Sequence, residues 1–81
     1  MAARFASQVC QQQGNRITFV NGVWIGTSPL GPGDYAVLLE SCPESWDYLA
    51  AAGKDGWELV AVLQAGSAEA SFQVLYLKRG G

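Results

Sequence analysis

The stretch Glu44-Ser-Trp-Asp-Tyr-Leu-Ala-Ala-Ala-Gly-Lys-Asp-Gly-Trp-Glu-Leu-Val60 decides the fold. Trp46, Leu49 and Ala50 recur at i, i+3 and i+4, an apolar stripe of helical period, while Glu44, Asp47 and Lys54 lie away from it. Acidic residues early in such a helix suit its dipole. Just upstream, Ser41-Cys-Pro-Glu44 matches a capping box, in which hydroxyl and carboxylate satisfy free amides of the first turn. Pro43 fits a first turn, where its missing donor costs nothing. Gly53 is expected to close the helix in the left-handed conformation, with Lys54-Asp55-Gly56 completing the turn. A strand then opens at Trp57 and runs to Leu63. On this reading Trp46 and Leu49 bury against Leu59 or Val60 and the last strand.

Working outward, Phe72–Lys78 is a second clear strand, and Gln64–Ser71 links the two as an antiparallel hairpin. Tyr35–Glu40, a short apolar run, reads as a strand before the helix. Arg16–Val20 alternates and is rich in β-branched and aromatic residues. Asn21-Gly22 is a strong hairpin signal, because both positions tolerate positive φ, and Val23-Trp24-Ile25 is the returning strand. Residues 1–10 are weakly patterned, Gln11–Asn15 is a polar turn candidate, and Ser28–Asp34 is a Pro/Gly loop. The expected fold is α+β in one domain over 1–81: an N-terminal extension and hairpin (1–27), then a β-α-β-β core (35–79). The sheet is antiparallel, of four to five strands, with one helix packed on one face.

The run Leu49…Gly53-Lys-Asp-Gly-Trp-Glu-Leu-Val60, followed by a strand ending Tyr76-Leu-Lys-Arg79, resembles the small bacterial domain of unknown function 4177. The resemblance covers residues 35–79 and implies a compact β-α-β-β unit. It leaves the Arg16–Ile25 hairpin unmatched. It implies no activity, cofactor or catalytic residue.

Composition limits the function classes. Eighty-one residues sit near the lower end of what folds without metal or disulfides. With 49% apolar and 15% charged residues the chain is too apolar for disorder and under-charged for a small monomer. A net charge of −2, with only Arg4, Arg16, Lys54, Lys78 and Arg79 basic, argues against nucleic acid. No window approaches a membrane span and the first residues lack the core of a signal peptide, so the expected compartment is the cytoplasm. Cys10 and Cys42 are too few for a disulfide scaffold; whether they pair is open, with buried free thiols the blander state.

Candidate chemistry is sparse. The chain has no histidine, which removes the usual triads, most zinc sites and the commonest general base. Cys42 beside a helix start is the one candidate reactive thiolate, weighed against an incidental buried cysteine. Glu58 beside Trp57 is a candidate perturbed carboxylate, weighed against a strand residue paired to Lys78 or Arg79. Glu44 and Asp47 at i, i+3 read as a solvated helix face rather than a cation site. Gly31-Pro32-Gly33 is no phosphate loop. No catalytic residue, metal or cofactor is expected.

Surface is the stronger signal. With strict alternation both faces of the strands are largely apolar, and one helix covers only one of them. The other face, which the N-terminal hairpin, a second copy or a different protein must cover, places Val60 and Val62 beside Leu75 and Leu77. Together with Trp24, in the short strand after the hairpin turn, these are the candidate interface residues. The sequence therefore points to a non-enzymatic interaction or structural module, partnered by itself or by another protein. The alternative is a small-ligand domain with an apolar, aromatic-lined pocket.

Overall fold

The computed structural model describes residues 5–67 and 71–80, and among these it has five strands and two helices. In chain order they are β1 (Phe5–Gln13), β2 (Arg16–Val20), β3 (Val23–Trp24), α1 (Tyr35–Glu40), α2 (Ser45–Lys54), β4 (Glu58–Gly66) and β5 (Ser71–Gly80). The strands form one antiparallel sheet in the order β3-β2-β1-β5-β4. The α+β class holds. The N-terminal hairpin is part of the sheet, joined to the C-terminal hairpin through β1 and β5.

β1 is the central strand, although its sequence is weakly patterned. Gln11–Gln13, expected in a turn, lie in the ladder, and the turn is Gly14-Asn15. The polar side chains are tolerated because they find partners. Gln12 Nε2 donates to Gln73 Oε1 at 3.2 Å, and Gln73 Nε2 donates to Gln64 Oε1 at 3.0 Å, an amide row across β1, β5 and β4. The Asn21-Gly22 turn is as expected, with φ of 51° and 81° at its two residues. Asn21 Oδ1 also accepts from the amide of Val9.

Residues 35–40 are helical, not a strand. A six-residue apolar run carries no period that separates the two, and the deciding residue is Asp34, whose carboxylate caps the amide of Ala36. Ser41 ends that helix, so it does not cap the next one. α2 starts at Glu44 without a side-chain cap. Its first free amide, that of Ser45, donates to Asn15 O at 2.8 Å, so a neighbouring turn does the work of a capping box.

α2 also ends later than expected. It runs through Gly53 to Lys54, and Gly56 is the left-handed residue at φ 88°. Trp57 N donates to Ala52 O and Gly56 N to Gly53 O, both at 3.0 Å, a Schellman motif. The glycine cap is present one turn further on.

This end fixes which face of α2 is buried. Ala52 is in the core with Cys10, Ile17, Leu75 and Leu77, bordered by Val20, Ile25, Tyr48, Leu49 and Trp57. Trp46, expected in that core, is 80% exposed. The buried stripe is Tyr48, Leu49 and Ala52 instead of Trp46, Leu49 and Ala50.

Candidate interaction surface

Residues paired across neighbouring strands share a face, so the register assigns both faces of the sheet. Gln8 and Cys10 of β1 oppose Leu77 and Leu75 of β5, which oppose Leu59 and Val62 of β4. This is the face that α2 covers. On the other face Val9, Tyr76 and Ala61 form one row, and Trp24, Phe19, Gln11, Val74 and Leu63 form another across all five strands.

Leu75 and Leu77 therefore turn toward the helix and are 2% exposed, so they are core residues and not interface residues. Alternation in β5 is regular and Val62 does share their face; what differs from the expectation is that this is the face α2 covers, and a bulge in β4 between Leu59 and Ala61 brings Leu59 onto it as well. The extra residue, Val60, shifts the pleat by one, so Leu59 and Val62 share a face. Sequence alternation alone does not show a bulge.

Val60 and Val62 are where a partner can reach them. Leu59, Val60, Val62 and Leu63 are each 46–54% exposed, on both faces of β4, and no β4 residue belongs to the core cluster. β4 is also an edge of the sheet. The opposite edge is closed: Ile17 N donates to Pro43 O, Ile25 N to Thr18 O and Thr27 N to Ser41 O. Arg16 adds bonds from its guanidinium to Cys42 O and Glu40 O and lies 3.9 Å from the Glu44 carboxylate.

Trp24 belongs to that closed side. Its ring packs edge-on against Phe19 with centroids 5.4 Å apart, and Nε1 donates to Ser28 O at 2.9 Å. The indole lies over Gly26, where a Cβ would come within 2.5 Å of it. Its first task is to hold the loop after β3. Trp46 is the exposed tryptophan, and with Leu49 and Ala50 it lines a shallow apolar recess of about 310 Å³.

The chemical candidates are placed as follows. Cys10 and Cys42 are buried free thiols. Burial pushes the Cys42 thiol up, more than the Ser41 hydrogen bond and the Arg16 charge pull it down, which opposes a reactive thiolate. Cys10 Sγ and Tyr48 Oη both donate to Gln8 Oε1, at 3.5 and 2.8 Å. Burial raises the Cys10 thiol and pushes the Tyr48 phenol up to about 12. Both stay protonated, as the shared acceptor requires. Glu58 sits opposite Lys78 in the β4–β5 register, as the pairing alternative supposed. Among the described residues no three acidic, cysteine or histidine side chains gather as metal ligands, and no helix is long and apolar enough to cross a membrane.

A recess of about 150 Å³ lies between α2 and the sheet, lined by Gln8, Tyr48, Ala51, Ala52, Asp55 and Trp57. Arg79 stacks over the Trp57 ring at 4.6 Å beside it. The half-exposed apolar residues of β4 line neither recess and lie on an edge of the sheet. No family model, curated protein or solved structure matches the chain.

Proposed function

We propose that this chain is a non-enzymatic interaction or structural module of the bacterial cytoplasm. It acts as a homo-oligomer or as a small accessory subunit of a larger assembly. The supporting observation is β4: an edge strand whose successive apolar residues are half exposed on both faces. Monomeric soluble domains guard such edges with charge, proline or a covering segment. The resemblance to the domain of unknown function 4177 supplies the bacterial context and no activity.

Light scattering coupled to size exclusion, on the pure chain and on the chain in a native extract, tests this reading. A species heavier than 8.6 kDa in either sample is expected. A monomer in both would contradict it. The small-ligand reading has less support: the recess under α2, about 150 Å³, is below the roughly 300–1,000 Å³ of ligand pockets, and the apolar recess of about 310 Å³ at Trp46 is at the bottom of that range and is a shallow surface groove lined by three side chains.

A further inference from the structure

The open edge has features that select its occupant. We infer that β4 pairs antiparallel with β4 of a second copy, giving a two-fold dimer with one continuous sheet; this rests on the interaction-module reading above. Leu59–Gly66 carries no charged residue and no proline, so nothing along it opposes a strand. Its only charge is Glu58, at one end. With the two-fold axis at Val62, Glu58 of one copy lies opposite Gly66 of the other. The two carboxylates are then eight residues apart, about 27 Å, beyond the screening length. Parallel pairing would set them side by side.

The faces agree as well. An axis perpendicular to the sheet keeps the α2 side of both copies together, so any residue beyond the bulge can meet its twin. Val62, Leu63 and Gln64 are the central choices. An axis at Gln64 would continue the amide row of Gln12, Gln73 and Gln64 into the same row of the second copy.

Light scattering on the full chain at high micromolar concentration should give twice 8.6 kDa. Val62→Lys and Leu63→Lys should each raise the dissociation constant roughly tenfold or more. Circular dichroism should be unchanged, because both side chains are already half exposed. Single cysteines at 62, 63 or 64 should yield a disulfide-linked dimer for at least one position, and the position reads the register. The buried Cys10 and Cys42 stay unlinked.

A monomer at high micromolar concentration overturns the proposal, whether or not the edge takes a strand from a different protein. An oligomer that resists both lysine variants and forms no cross-link also overturns it. That second outcome leaves the interaction-module reading standing and moves the contact elsewhere.

Discussion

Gly53 and Gly56 are three residues apart and have opposite requirements. Gly53 is inside α2, exposed, with nothing within 4 Å of an added Cβ. Gly53→Ala should therefore stabilise the domain by about 0.5–1 kcal/mol. Gly56 holds φ 88°, so Gly56→Ala should cost about 1–2 kcal/mol through backbone strain. Thermal melts that shift in opposite directions confirm the Schellman end of α2; equal shifts contradict it. Tyr48 gives the pH dependence. The folded state holds its phenol proton up to about 12, against 10.0 ordinarily. Its contribution is complete below pH 10 and is lost as pH rises toward 12. Tyr48→Phe should flatten the alkaline fall in stability measured by urea melts. An equally steep fall would assign it to other groups, such as the buried thiols.

At the scale of elements, β5 separates core from surface residue by residue. Leu77→Glu should unfold the chain, because it buries a charge among Cys10, Ile17 and Ala52. Trp46→Ala should change stability by less than about 1 kcal/mol, although core truncation of a tryptophan costs 3–5 kcal/mol. Urea midpoints for the two variants test the placement of α2; a large loss at Trp46 would put that residue in the core. The sequence showed β2, the Asn21-Gly22 turn, the body of α2, β4 and β5, because each has a period or a turn chemistry of its own. It did not show β1, whose place is set by partners on both sides rather than by its own pattern. The helix at 35–40 rests on one capping carboxylate, Asp34. The candidate interface was half legible for a related reason. Val60 and Val62 are accessible, but β5 lies beside the central strand and turns Leu75 and Leu77 to the face that α2 covers.

The whole molecule is flat and extended for its length. Its extents are 50 × 26 × 20 Å and its radius of gyration is 13.8 Å, against about 12 Å for a compact domain of this size. α2 reaches over the β2–β1–β5 part of the sheet, α1 lies against β2, and no residue of β4 belongs to the core cluster. On the proposed reading, a domain near the lower size limit with such a strand uncovered would gain stability from association. Amide hydrogen exchange of β4, followed as protein concentration is raised, tests this most directly. Protection of the amides from Ala61 to Ala65 should rise with concentration while that of β1, already paired on both sides, stays constant. Exchange in β4 that is fast and independent of concentration, in the pure chain and in a native extract alike, would contradict it.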